Sequence, residues 1–402
     1  MKRILVMICV LAMVFSLTAC GGNTKTDGTA DSSSTAGTDN SSQTPDAKDT
    51  DAGTGEAIRF AVCGPMTGDS AEQGLLQMNG CQMAVDEINA AGGVNGRQLD
   101  MVCYDDQASP NQAVIVAEKI AADPTIEFVI SHINSGCTIA AQDVYIDAGL
   151  TVLAPVNTLD ELSGYGWENF MRICLSDGAS AKMLVDAMME MGAQKPAVFY
   201  ANTANDLSAC NIISDYLGEK YGIADVIKET FNPETDRDYS SQVEKFRAAG
   251  VDCIILCCEY TPAALLMTQC HEKDYRPQTG GLACNNPEII SLGGEDVEGL
   301  LTVTGFDCTN PDEKIQEFIG KYRELYNTDP NDCSSRGYDT IYCVADAYKN
   351  GAAKENLAEW MLEKTDYQGV TCDIRFDGNC DNQAAITYIL QIQSGAFTLL
   401  EQ

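Results

Sequence analysis

IRFAVCGPMTGDSAEQGLLQMNGCQMAVDEINAAGGVNGRQLDMVCY, residues 58–104, decides the fold class. Ile58–Cys63 is a short apolar run with the composition of a strand. In the following segment Cys81, Ala84, Val85 and Ile88 fall at i, i+3, i+4 and i+7, which sets one apolar stripe on a helix, and Gly92-Gly93 supplies a stop. Leu99–Tyr104 is a second strand. The same alternation continues through a helix at Pro110–Ala122, a strand at Glu127–Ser131, a helix at Thr138–Asp147 and a strand at Leu150–Pro155. A second series begins after Arg172: helix around Ala179–Met191, strand Pro196–Tyr200, helix Leu207–Tyr221, strand near Asp225–Lys228, helix Ser240–Ala249, strand Asp252–Cys257 and helix Thr261–Lys273. Strands that alternate with helices of this length form βαβ units, and so a parallel sheet covered on both faces. The pattern predicts an α/β protein of two doubly wound, Rossmann-like lobes.

Charge narrows the function. The 402 residues carry 25 Lys and Arg against 59 Asp and Glu, a net charge of -34. Phosphate backbones and anionic lipid headgroups repel such a chain, so nucleic acid is excluded as a partner. Only two histidines occur, His132 and His271, and there is no C-x-x-C or H-E-x-x-H spacing, so no metal site is expected. G-x-S-x-G, Walker and dinucleotide glycine patterns are also missing, and no cofactor is expected. DGNCDNQ at Asp377–Gln383 lacks the glycine and glutamate of a calcium loop at Asn382 and Tyr388, and reads instead as a turn at Asp377 and Gly378. Sixteen of the 18 cysteines follow residue 57 and lie scattered in apolar runs such as CIILCC at 253–258, the pattern of thiols used as small hydrophobes.

The first residues read as an address. Lys2 and Arg3 precede an apolar run from Ile4 to Leu17 that is short for a membrane span, and LTAC ends at Cys20. Those four residues resemble a bacterial lipobox, which implies a signal peptide over 1–19 and a lipid on Cys20. Gly21–Glu56 contains no Leu, Ile, Val, Met or aromatic residue and cannot offset its own ordering entropy, so 20–56 is expected to be a lipidated cysteine and a disordered tether. From residue 57 onward there remain 21 basic and 52 acidic residues, so the acidity belongs to the folded part.

GPMTG at 64–68, VDEINAAGGVNG at 85–96, YDDQASPNQAV at 104–114, GEDVEGL at 294–300 and RGYDTIYCVADAY at 336–348 together resemble solute-binding proteins of the branched-chain amino-acid type. These are periplasmic-binding-protein type I receptors for ABC importers, similar to Leu/Ile/Val-binding proteins. The resemblance implies a three-strand hinge, with crossings near Arg172, near Thr304–Phe306 and near Tyr367–Val370. The first lobe is then 57–172 plus about 306–368, and the second 173–305 plus about 369–402.

Ligands of open α/β sheets sit beyond the carboxyl ends of the strands. There the loop HINSGCT leads into a helix whose N-terminus, at Thr138, suits a carboxylate. Ser135 in that loop is a plain N-cap or, as the resemblance implies, a ligand contact beside Gly136. By the same resemblance Val156 and Thr158 offer a backbone group and a hydroxyl. Gln73 stands where the family has an aromatic, Asn205 where it has a tyrosine, and Leu282 where it has the acid that pairs with the ligand's ammonium. Glu259, followed by Tyr260, is then either the replacement counter-charge or a solvated loop-edge residue. His132 reads as a locally bonded histidine and stays outside the site. No nucleophile with a base is found, so the chain is not read as an enzyme. The expectation is an exported, lipid-anchored, monomeric binding protein that passes an amino acid or small carboxylate to an ABC permease. The alternative is the same clamshell used as a ligand sensor.

Overall fold

Every residue of Ile58–Gly64 except Arg59 is buried, because this strand, β1, lies inside a parallel sheet with helices on both faces. The computed structural model describes residues 56–68 and 70–400, so the expected leader, Cys20 and the tether up to residue 55 lie outside the described residues. The first sheet also contains β2 (Leu99–Asp105), β3 (Ile126–Ile130), β4 (Thr151–Ala154) and β5 (Phe170–Arg172), in the order β2-β1-β3-β4-β5. Register sets Phe60 of β1 opposite Phe128 of β3, and their rings stack at 4.7 Å. Such a pair is worth about 1 kcal/mol beyond its buried area. Helix α1 (Ala71–Ala90) covers one face, and α2 (Pro110–Ala121) and α3 (Ser135–Asp147) cover the other.

The second series begins with α4 (Asp177–Glu190), β6 (Pro196–Ala201), α5 (Ala204–Tyr221), β7 (Ile227–Phe231) and α6 (Ser240–Ala249). It continues with β8 (Cys253–Glu259), α7 (Tyr260–His271), β9 (Gln278–Ala283), α8 (Glu288–Gly293) and β10 (Leu301–Thr304). Strands β6 to β10 run parallel, with α4 and α5 on one face and α6 and α7 on the other. Phe199 and Phe231 repeat the 4.7 Å stack of the first lobe. Cysteines 253, 257 and 258 of β8 are free and buried, and burial pushes the Cys253 thiol up to about 12. They act as apolar filling.

The chain then returns to the first lobe. Helices α9 (Glu313–Tyr326), α10 (Asp332–Lys349) and α11 (Leu357–Lys364) bury Phe318, Ile341 and Trp360 in the same core as Phe60. Close approach of α10 to α1 requires Gly80, where a Cβ would lie 1.9 Å from the Ser334 carbonyl oxygen. The short pair β11 (Tyr367–Gln368) and β12 (Asp373–Ile374) follows. Finally β13 (Tyr388–Gln393) and β14 (Ala396–Leu399) extend the second sheet antiparallel, to the order β14-β13-β10-β9-β8-β6-β7. Ser394 and Gly395 both adopt positive φ in their connection, as a tight hairpin turn demands.

The chain leaves the first sheet after Arg172 and enters α4 at Asp177, and it returns through Gly305, since Thr304 ends β10 and Phe306 packs in the first core. The third passage corrects the expectation of Tyr367–Val370. Val370, Ile374, Phe376 and Cys380 belong to the first core, and pairing with the second sheet starts at Tyr388. That passage therefore lies between Asn382 and Thr387, and residues 369–381 belong to the first lobe. The turn at Asp377 is held by its own side chain, whose Oδ1 accepts from the amides of Asn379 and Asp381 at 2.9 and 3.0 Å.

Arg172 is 3 % exposed and pairs with Asp381, Nε to Oδ1 at 2.7 Å and Nη2 to Oδ2 at 2.9 Å. Removing one partner of a buried pair strands the other charge. Asp381→Ala should therefore lower the unfolding free energy by about 3 kcal/mol, read from urea denaturation. An unchanged midpoint would show that Arg172 needs no such partner.

Candidate functional site

The first-lobe half of the site is made where β3 ends. Asn134 has extended backbone, and its carbonyl accepts from the amides of Cys137 and Thr138 at 2.9 and 3.1 Å, so α3 begins at Ser135, three residues before the expected Thr138. Asn134 makes no side-chain cap. Among the described residues the first-turn amides of Ser135 and Gly136 have no acceptor within the chain, and they lie at the positive end of the helix. Ser135 is thus the first helical residue and not the N-cap. Thr138 faces inward instead, fully buried, with its hydroxyl donating to the His132 carbonyl at 3.2 Å. Beyond β4, Val156 and Thr158 are half-buried on either side of the buried Asn157. The Thr158 carbonyl accepts from the Asp177 amide at 2.7 Å. Gln73 is exposed on the first turn of α1.

The second-lobe half is a cavity of about 740 Å³ beyond the carboxyl ends of β6, β7 and β8. Asn205 and Glu259 both line it, together with Asp206, Phe231, Tyr239 and Arg237. Ser135, Gly136, Val156, Thr158 and Gln73 are not among its walls. Neither is Tyr260, whose hydroxyl turns away to donate to Glu288 Oε2 at 2.8 Å. Leu282 packs with the apolar cluster between the sheet and helices α4 and α5, so it takes no place in the cavity.

Sequence reasoning missed Asp206. Thr203-Ala-Asn-Asp206 reads as a helix cap, and it is one: the Thr203 hydroxyl accepts from the Asp206 amide at 3.1 Å and donates to Asp206 Oδ2 at 2.7 Å. The same side chain nevertheless opens into the cavity. Burial raises the Asp206 carboxyl above its ordinary value, partly offset by the Thr203 hydrogen bond. Burial, and then the charge of Asp206, raises Glu259. Among the described residues neither carboxylate has a basic partner within 4.0 Å. The Arg237 guanidinium shares the cavity, but its Nη1 is spent on the carbonyls of Pro233 and Asp236.

No cluster of three metal-ligating side chains exists among the described residues. His132 is fully buried, held by Asp106 at 2.7 Å and by the Tyr145 hydroxyl at 3.0 Å, and cannot reach a substrate. Free amides on one lobe and unpaired carboxylates on the other offer poles of opposite sign.

Known proteins share this sequence pattern and fold. Residues 57–396 match the family model for periplasmic binding proteins. The leucine-, isoleucine-, valine-, threonine- and alanine-binding protein of Pseudomonas aeruginosa is 31 % identical over 81 % of this chain and 87 % of its own length. Leu/Ile/Val-binding protein homolog 1 of Brucella suis is 29 % identical over 79 % and 85 %. The crystal structure of an ABC transporter substrate-binding protein from Desulfitobacterium hafniense in complex with Leu superposes with a TM-score of 0.73 at 26 % identity, covering 86 % of this chain and all of that one.

The raised carboxyls predict a stability signature that needs no ligand. A carboxyl whose folded pKa exceeds its unfolded value destabilises the fold once pH rises through the folded value, and has no such effect below the unfolded one. Glu259→Gln should therefore unfold at a higher temperature than wild type near pH 8, and the gap should close below about pH 4. Scanning calorimetry at both pH values checks it, and a lower midpoint for the variant at pH 8 would contradict the repulsion with Asp206.

Proposed function

The chain belongs to the periplasmic binding protein family, on the branch of branched-chain amino-acid ABC transporter substrate-binding proteins, and from that premise we propose that it is an extracytoplasmic lipoprotein that captures an α-amino acid for an ABC permease. The observation that carries the ligand reading is the pair of unpartnered carboxylates, Asp206 and Glu259, in the second-lobe cavity. A buried ammonium needs such a partner, and Leu282, where the resemblance puts the family's usual acid, faces the core instead. The amides of Ser135 and Gly136 take the ligand carboxylate, with Val156 and Thr158 beside it. Asn205 lies with Glu259 on the amine side. Hinge closure over the ligand follows from a ligand that both lobes hold, because the closed state then binds it better.

Calorimetry against a panel of amino acids and their deaminated analogues tests the ligand. Glu259→Ala should weaken amino-acid binding by about 2–5 kcal/mol, and wild-type affinity should fall as pH drops through the raised carboxyl values, where the counter-charge is lost. Tighter binding of a deaminated analogue would overturn the amine reading.

Export and anchoring rest on the charged start, the apolar run and LTAC ending at Cys20. Two or more acyl chains hold a protein stably at a bilayer, where one does not. Cys20→Ala should move the protein from the membrane fraction to the soluble envelope fraction or the medium. Unchanged retention would defeat the anchor.

A further inference from the structure

Asn157 stands between Val156 and Thr158 and is completely buried. Its side chain directs both donors and its acceptor oxygen at one other segment. Nδ2 donates to the carbonyls of His132 at 2.9 Å and Ile133 at 3.1 Å. Oδ1 accepts from the Ser131 hydroxyl at 2.6 Å and shares the single proton of the Thr138 hydroxyl, 3.3 Å away, with the His132 carbonyl. One amide thus clasps the whole loop that delivers Ser135 and Gly136, from the end of β3 to the first turn of α3. Its own carbonyl accepts from the Cys174 thiol at 3.3 Å, on the first passage out of the lobe. The residues on both sides of Asn157 are half-exposed while it points inward, so the segment shows Val156 and Thr158 outward because Asn157 is held within.

We propose that Asn157 is the positioning residue of the first-lobe half of the site: it fixes the spacing between the amides of Ser135 and Gly136 and the contacts at Val156 and Thr158. Its role as positioner rests on reading those residues as ligand contacts. Buried packing alone would make it one more stabilising amide, and a change of shape or charge there would lower stability without a directed effect on the two loops.

Asn157→Asp separates these. The substitution keeps the shape but replaces both donors by oxygen facing two carbonyls. When protonated, the new carboxyl regains one donor. Other ionisable groups of the neighbourhood are His132 with Asp106 and Tyr145 behind it, Cys137 on α3, Cys174, and Asp160 and Asp177 beyond Thr158. Asn157→Ala adds no charge and leaves those groups in place, so it separates their titration from that of the new carboxyl. With L-leucine as the probe, the variant should bind about 10–100-fold more weakly than wild type near pH 8. That ratio should shrink near pH 5. Asn157→Ala, which cannot titrate, should lose affinity by the same factor at both pH values. Hydrogen exchange of the ligand-free proteins should show faster exchange in 131–138 and 155–159 together for Asn157→Asp at pH 8, relaxing toward wild type at pH 5.

The control is Asn169→Asp at the opposite end of β4, where the amide donates to the Leu150 carbonyl at 2.7 Å. It should lower the melting temperature and leave affinity and both loops unchanged. Equal behaviour of the Asn157 and Asn169 variants, or a pH-independent ratio for Asn157→Asp, would overturn the positioning role. If wild type binds neither leucine nor any other amino acid, the ligand reading fails and the exchange result alone decides the proposal.

Discussion

A guanidinium cannot surrender its charge, so a buried arginine dictates where carboxylates and carbonyls must run around it. Arg172 plays that part at the end of the last strand of the first sheet. Asp381 meets it with both oxygens, Ser163 and the Leu159 carbonyl accept two further bonds, and its backbone is laced to the same return segment. The Arg172 amide donates to the Cys380 carbonyl, its carbonyl accepts from Asn382, and the Asn382 side chain donates to the Ile173 carbonyl at 3.1 Å. Two of the three passages between the lobes are thus bound side by side at their first-lobe ends. The other passage has no slack either, because the Arg336 guanidinium lies where a Cβ on Gly305 would be, 2.0 Å from Nη2. A hinge bend about these strands, as proposed for ligand capture, would leave these contacts in place.

Elsewhere the molecule pairs many of its charges, Arg97 with Glu127, Lys220 with Asp186 and Arg59 with Asp100 among them. Among the described residues Glu259 and Asp206 have no basic partner, and they share one cavity. Each sits at the start of a helix, Asp206 in the first turn of α5 and Glu259 as the residue before α7, where a carboxylate is favoured. Yet burial raises both carboxyls, and the charge of Asp206 adds to the rise at Glu259. A ligand cation removes the repulsion at once. The destabilisation of the empty protein and the affinity for an ammonium are two readings of the same free energy.

Much of the fold was legible because apolar runs and helical stripes answer to burial, and burial in a doubly wound sheet is nearly complete: six of the seven residues of Ile58–Gly64 are buried. Short or shielded features escaped. Phe170–Arg172 is a strand of three residues, too brief for any periodicity. Ser135-Gly136-Cys137 looks like loop by composition, yet the Asn134 carbonyl starts the helix there. The third passage was misplaced because Tyr367–Gln368 pairs within a small separate sheet and the antiparallel β13–β14 closing the second sheet has no counterpart in the alternation. Glu259 and Asn205, singled out near strand ends, both line the second-lobe cavity. Asp206 hid inside a capping pattern, and Leu282 was reached by counting back from GEDVEGL, which registers position and not the direction of a side chain. Asn157 carried no signal, since its four partners lie 19 to 26 residues away.

The overall charge bears on why the site has two poles. With 52 acidic and 21 basic residues from position 57 onward, the field around the folded part lowers the local concentration of free anions and raises that of cations. A helix N-terminus supplies only about half a positive charge, so the start of α3 alone would draw a simple carboxylate weakly against that field. A zwitterion has no net charge and meets no such barrier. In the proposed binding mode its carboxylate takes the amides of Ser135 and Gly136 and its ammonium takes Asp206 and Glu259. The acidity that would exclude a plain anion thus works in the same direction as the unpaired carboxylates, toward a ligand that brings its own positive end.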